Sequence, residues 1–301
     1  MVRAFATGIL ALSLLLPSVS FAAPIDDVAA ATVNVYCTYK SGSKRYSTTG
    51  SGFFIDSRGI IMTNAHVAAP FLLTDKKGEQ LSDCSIRTGS PAKDRYEAQV
   101  LYISPEWVEA NVAELKKGQP RGTGEGDFAL LQVTAATKGS LPASFPAIAP
   151  AVSGNVSEGD PLIAAGYPAE KLDFRKVRSK LMLATSTPTL TSVRYYVRPF
   201  ADLIVLSPSA LSASGASGGP IATADGRALA ITTAVEQAKD KRERSLRAIT
   251  LSYVDRVLTL DTGKPLTLLL LGDLKALKER TDTSLSKELT ASLNKALLKR
   301  K

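Results

Sequence analysis

Short apolar runs recur along the chain, separated by turns rich in Gly, Pro, Ser and Asp. In "AAATVNVYCTYK" (29–40), Val33, Val35 and Cys37 alternate with less apolar neighbours, the period of a strand. "GSGFFIDSRGIIMTNAHV" then holds two β-rich runs, 52–55 and 60–63, joined by the turn signature "DSRG". Further strands are predicted at 97–104, 127–133, 161–168, 181–192, 201–209, 219–237 and 246–252. Many short strands without alternating long helices argue for an all-β barrel or sandwich and against a doubly wound α/β sheet.

Two segments carry a helical pattern instead. "SPEWVEANVAELKKG" (104–118) opens with Ser, Pro and Glu and stops at Gly118. Near the C-terminus, Leu285, Leu289, Leu293 and Leu297 fall four apart on one face, with lysines elsewhere. That face suits a helix docking on its own domain; a membrane or partner helix is the alternative. Residues 261–301 thus read as a helical extension of the domain that precedes them, and no internal repeat is found. At the other end, 1–22 has Arg3, an apolar run from Ala4 to Leu16, a break at Pro17, and small residues at Ser20 and Ala22. This is the pattern of a secretory signal peptide. The run is short for a membrane span, which needs about 20 residues. The mature chain is expected in the bacterial periplasm or outside the cell.

Composition adds little beyond an ordinary globular domain. Charged residues are 22% and apolar ones 45%. The net charge is +9, or +8 once Arg3 is removed. The excess is spread through "FRKVRSK" (174–180), "KDKRERSLR" (239–247) and the C-terminal "LLKRK", without the interleaved aromatics of a nucleic-acid motif. No nucleic-acid partner is expected. Solvated loops and helix faces account for this charge; weak attraction to a wall or membrane surface is the alternative. The two cysteines, Cys37 and Cys84, form an even pair that invites a disulfide in an oxidising compartment; two buried thiols are the alternative.

Three stretches carry candidate chemistry. "TNAHV" holds His66, the only histidine in 301 residues. "GEGDFALLQV" places Asp127 between a glycine-rich turn and an apolar strand. "SGASGGPI" sets Ser217 among Gly215, Gly218 and Gly219. Taken singly, each has a plainer explanation as a core histidine, a turn aspartate or a flexible loop. Together they are the parts of an activated nucleophile. A serine hydroxyl needs an adjacent base, and the base needs an orienting carboxylate. Imidazole suits the base role because it titrates near neutrality. Glycines let backbone N–H groups, here those of Gly215 and Ser217, converge on an oxyanion.

Chain order discriminates among folds. "GASGG" formally matches the G-x-S-x-G elbow of α/β-hydrolases, but those place histidine after serine, and the only histidine here precedes it. The order Asp, His, Ser would need Asp56, which sits in an apparent hairpin turn. The order His66, Asp127, Ser217 is that of chymotrypsin-type enzymes.

On these motifs the chain resembles trypsin-like serine proteases, nearest the bacterial high-temperature-requirement (Deg-type) branch. "GSGFFIDSRGIIMTNAHV", "GDFALLQV", "EGDPLIAAGYPA" (158–169) and "SGASGGPI" with "ALAITTA" all resemble that branch, over about residues 30–255. The resemblance implies two six-stranded antiparallel β-barrels with the triad between them, in a protease domain of 23–260. It implies peptide-bond hydrolysis without metal or cofactor. It also places Leu211, six before the nucleophile, in the primary pocket, and Thr232, Thr233 and Ala234 on a strand that pairs with substrate. With no acid at Leu211, cleavage after small or medium apolar residues is expected. Three features depart from the family. Ala216 stands where Asp or Asn is usual, so a zymogen switch based on that acid is expected to be absent; the His–Asp segment is long and carries the predicted helix 104–118; and no PDZ-length region is expected after the protease domain. A catalytically silent binding module on the same fold, or an esterase using the same triad, are the rival readings.

Overall fold

The computed structural model describes residues 24–298, apart from 42, 75–76, 117–123, 154–155, 236–239, 241–242, 273 and 286. The expected signal peptide lies outside the described residues. The first half is a closed antiparallel barrel in the order β1-β2-β3-β6-β5-β4. Its strands are β1 (Thr32–Ser41), β2 (Lys44–Asp56), β3 (Ile60–Thr63), β4 (Ser82–Thr88), β5 (Lys93–Ile103) and β6 (Ala129–Ala136). Apolar residues occupy both faces of β2 and β3. Phe54 and Ile61 fill the barrel interior, whereas Phe53, Ile60 and Met62 face a second core. Strands buried on both sides show weak alternation, which is why these runs read as continuous apolar stretches. Cys37 and Cys84 are direct cross-strand partners on β1 and β4 and are joined by a disulfide.

The second half is a seven-stranded antiparallel sheet, ordered β8-β7-β11-β12-β13-β10-β9. It comprises β7 (Ile163–Gly166), β8 (Ala184–Ser186), β9 (Leu190–Arg194), β10 (Leu203–Leu206), β11 (Pro220–Ala222), β12 (Ala228–Val235) and β13 (Leu246–Thr250). The sheet curls until the segment entering β7 meets the start of β9. Gly159 and Leu162 donate to the carbonyls of Leu190 and Pro188, and Leu190 N–H returns a bond to Asp160. The run expected as one strand at 181–192 is two, β8 and β9, split around Pro188, which lacks the N–H a ladder needs. Residues 29–31, expected in the first strand, instead end α1 (Pro24–Ala31), where Pro24 and two first-turn aspartates favour a helix start and Val28 and Ala31 are buried.

Five further helices complete the frame beyond the one-turn α2 (Ala65–Ala68) and the expected α3 (Pro105–Lys116). The first, α4 (Phe174–Lys180), follows β7. The C-terminal part holds α5 (Leu251–Thr262), α6 (Leu266–Leu271), α7 (Leu274–Ser284) and α8 (Lys287–Leu298). The boundary expected at 260/261 therefore falls inside α5, and the extension is more than one amphipathic helix. Thr250 caps α5 by accepting from Tyr253 N–H, and Gly263 ends it in the left-handed conformation. These helices are integral to the fold. Leu266, Leu269, Leu270 and Leu277 share one core with Phe53, Leu101, Phe128, Leu203 and Ile249 from both halves. Leu293 of α8 joins the barrel core beside Trp107 and Val108 of α3, and Asn294 exchanges hydrogen bonds with the main chain of Thr74.

Leu293 is 1% exposed, so Leu293→Ala should cost about 2–5 kcal/mol in urea unfolding. A loss below about 0.5 kcal/mol would mean that α8 is a detachable surface helix.

Candidate active site

His66 lies in α2, directly after β3, where the chain leaves the barrel wall. Asn64 precedes it, and its side chain donates to the Asp127 carbonyl at 2.8 Å, tying the two loops together. Asp127 follows the tight turn at Gly124–Gly126; its N–H bonds the Gly124 carbonyl, and Gly126 N–H is held by the Tyr253 hydroxyl. The Asp127 carboxylate accepts from His66 twice, from the main-chain N–H at 3.0 Å and from Nδ1 at 2.8 Å. An ionised carboxylate can only accept. Nδ1 must therefore carry the ring proton, which leaves Nε2 as the basic nitrogen. Burial pushes the Asp127 carboxyl up, but the adjacent His66, its two hydrogen bonds and the Thr233 hydroxyl outweigh this and hold it below the usual carboxylate range.

Thr233 supplies the third bond, with Oγ1 2.9 Å from Asp127 Oδ2. Its placement comes from a β-bulge. Thr232 pairs with Ala248 and Ala234 with Arg247, so Thr233 is the extra residue between them. Its hydroxyl meets Asp127 while its carbonyl faces the nucleophile loop and accepts from Ser217 Oγ at 3.3 Å. Thr233 thereby touches both the His66–Asp127 pair and Ser217. Among the described residues, no hydrogen bond joins Ser217 Oγ to the His66 ring. The His–Asp half of the arrangement is formed, and the serine hydroxyl is turned toward Thr233.

The loop around Ser217 is clamped to β2. Ser51 N–H donates to the Ser217 carbonyl at 2.7 Å, and Ser51 Oγ donates to the Gly215 carbonyl at 2.8 Å. Gly218 N–H bonds Thr232, and Thr232 N–H bonds Gly219. Gly215 and Gly218 have φ of 96° and 90°. A Cβ at Gly218 would sit 2.0 Å from the Ser51 carbonyl oxygen, so only glycine fits this approach. Among the described residues, neither Gly215 N–H nor Ser217 N–H donates to a protein acceptor, which leaves two open donors beside the serine.

Other expected positions are placed differently. Leu211 is fully buried and packs with Leu162, Leu206 and Ala216 in the core of the curled sheet. Its side chain therefore has no face for substrate, because it fills the interior behind the loop. The Thr232 N–H and carbonyl, expected to face substrate, both engage the nucleophile loop. The side chain of Ala234 lies outside the described residues. Ala216 is 1% exposed in the same core as Leu211, a site that an apolar methyl suits. The roles of Ser51, Asn64 and the Thr233 hydroxyl were not read from the sequence. The one signal was a hydroxyl residue in a strand facing the "GASGG" loop. Among the described residues, no group of three His, Cys, Asp or Glu side chains could hold a metal ion.

A closed six-stranded antiparallel barrel followed by a curled antiparallel sheet is the chymotrypsin-like fold. The model of the trypsin-like peptidase domain matches residues 50–231, and the chain belongs to that family. The fold is similar to that of a serine-to-alanine variant of the HtrA-type protease AlgW with decapeptide: the TM-score is 0.52 at 18% identity, over 80% of this chain and 67% of that one. HtrA-type protease AlgW with decapeptide gives 0.50 at 19% identity, over 87% and 68%. No curated protein sequence matches the chain.

Because the Asp127 carboxyl is held below the usual carboxylate range in the fold, its contribution to stability is complete above that range. It is lost as pH falls through the lower folded value. The stability difference between wild type and Asp127→Asn in urea unfolding should therefore narrow from pH 5 toward pH 2. A difference that stays constant or widens would contradict a charged Asp127.

Proposed function

We propose that the chain is an exported serine endopeptidase. Ser217 attacks the peptide carbonyl, His66 Nε2 takes the hydroxyl proton and returns it to the leaving amine, and Asp127 holds the ring and stabilises the imidazolium. The N–H groups of Gly215 and Ser217 stabilise the oxyanion. The observation that carries this reading is the Asp127 carboxylate, which bonds His66 on one side and, through Thr233, adjoins Ser217 on the other. Two open N–H donors beside the serine support acyl transfer over a purely binding role.

Export rests on the N-terminal apolar run and is supported by the Cys37–Cys84 bridge, because disulfides persist in oxidising compartments. Among the described residues, no helix is long and apolar enough to cross a membrane. A preference for small or medium apolar residues before the cut is supported by composition. Neither the nucleophile loop (207–219) nor β12 carries an acid that could pair with a buried cation.

A fluorophosphonate probe should label Ser217 alone. Ser217→Ala should abolish labelling and lower kcat about 10⁶-fold. A peptide library cleaved by the labelled-competent protein should favour apolar residues before the scissile bond. Absence of labelling would return the chain to the silent binding module, turnover of esters but not peptides would make it an esterase, and a profile dominated by Arg or Lys would refute the specificity.

A further inference from the structure

Arg87, on β4, is 2% exposed, and the proposed chemistry does not use it. A buried guanidinium needs acceptors for its N–H groups; this one finds them from both halves of the protein at its two terminal nitrogens, while Nε has no hydrogen-bond partner. Nη1 donates to Asn34 Oδ1 at 3.2 Å and to the Val177 carbonyl at 3.1 Å. Nη2 donates to the carbonyls of Ala92 at 2.6 Å and Arg178 at 2.7 Å. Nε lies 3.4 Å from Asp94 Oδ1, an ion-pair distance, and the Tyr36 ring covers the group at 5.2 Å. Val177 and Arg178 belong to the last turn of α4, whose carbonyls have no partner within the helix. A cation at that end also meets the negative pole of the helix.

Two routes lead from Arg87 to the Ser217 loop. The first runs through α4 and its flanks. Segment 167–183 is sewn to the β4–β5 turn by Ala92 N–H to Leu181, Leu183 N–H to Ser90 Oγ, and the Tyr167 hydroxyl to Gly89. Beneath it, Tyr36, Ala92, Tyr167, Ala169, Val177 and Leu181 form an apolar seam. At its near end, Ala169 N–H donates to the Ser214 carbonyl at 2.7 Å. A Cβ at Gly215 would lie 2.6 Å from the Tyr167 carbonyl oxygen, so the two backbones are in close contact. The second route runs through Asn34, whose amide donates to Thr49 and to the Gly50 carbonyl. The next residue, Ser51, receives Tyr167 N–H on its hydroxyl and bonds both Gly215 and Ser217.

We propose that Arg87 is a positioning residue for the oxyanion site: by joining Asn34 to the end of α4, it holds both supports of the Ser214–Ser217 backbone in one register. Ala216 gives the loop no charged anchor of its own, so these two supports act beside its bonds to Thr232 and its apolar backing in aiming its N–H groups. The proposal rests on the peptidase reading above.

The test compares wild type, Arg87→Met and Arg87→Lys, with kcat expressed per site titrated to completion by a fluorophosphonate. Arg87→Met should lower kcat per site about 10²-fold, the scale of a small misplacement of catalytic groups, with KM within about twofold. Affinity for a peptide boronic acid should fall in parallel. The midpoint of the pH–rate profile should not move, because the His66–Asp127 pair is untouched. Arg87→Lys keeps the charge without the planar fork and should fall between wild type and Arg87→Met. A merely structural arginine would reduce the number of titratable sites and leave kcat per site unchanged. If Arg87→Met fails to fold, Tyr167→Phe, which removes only the bond to Gly89, carries the test with a few-fold lower kcat per site. Arg175→Ala, on the exposed face of α4, is the control. Wild-type kcat per site in both Arg87→Lys and Tyr167→Phe overturns the proposal alone. A wild-type protein that neither titrates nor cleaves overturns the peptidase reading, and this proposal with it.

Discussion

The buried carboxylate of Asp127 is the constraint around which the cleft is arranged. Moving an ionised carboxylate out of water is costly unless every lone pair finds a donor. Here three donors come from two places in the chain: the main-chain N–H and the ring of His66 in α2, and the Thr233 hydroxyl at the bulge in β12. Each donor is fixed by something further out. Asn64 locks the α2 loop to the Asp127 main chain, Tyr253 of α5 holds the turn before Asp127, and the bulge turns Thr233 inward. The charge thus draws the barrel, the curled sheet and the first C-terminal helix to one point. The same contacts decide which nitrogen of His66 is basic.

The nucleophile loop meets a different requirement, since its main chain must leave donors unpaired while staying rigid. Ser51 is central to this. It donates to the loop from both its N–H and its hydroxyl and accepts from Tyr167. The loop's carbonyls are thereby satisfied, while the N–H groups of Gly215 and Ser217 stay open. The apolar backing of Ala216 and Leu211 serves the same end by packing rather than charge. That packing explains why Leu211 is unavailable to substrate.

Much of the barrel frame and the three candidate residues of the site were legible in the sequence because they rest on local signals. The "DSRG" turn between two apolar runs, the glycine-rich turn before Asp127 and the glycines around Ser217 each reflect backbone demands that only certain residues meet. Chain order added the topology. What was not legible depends on long-range register. No pattern in "ITTA" marks a bulge at Thr233. The basic run 174–180 reads as a solvated loop or helix face, and α4, capped by Asp173 accepting from Lys176 N–H, is such a helix; what the run does not show is that Val177 anchors it in the seam. The C-terminal segment looked appended because its leucines are periodic on their own. Its docking follows from an apolar outer face on the barrel, carrying Leu101 and Phe128, which a strand pattern read alone cannot assign.

A charged Asp127 fixes His66 with its proton on Nδ1 and leaves Nε2 without one. Since His66 is the only histidine, protein labelled with ¹⁵N-histidine gives a single imidazole, and its tautomer can be read directly by NMR in the neutral-ring state. The wild type should show the Nδ1–H form, with a strongly downfield Nδ1 proton that disappears in Asp127→Asn. A wild-type ring in the Nε2–H form would contradict it.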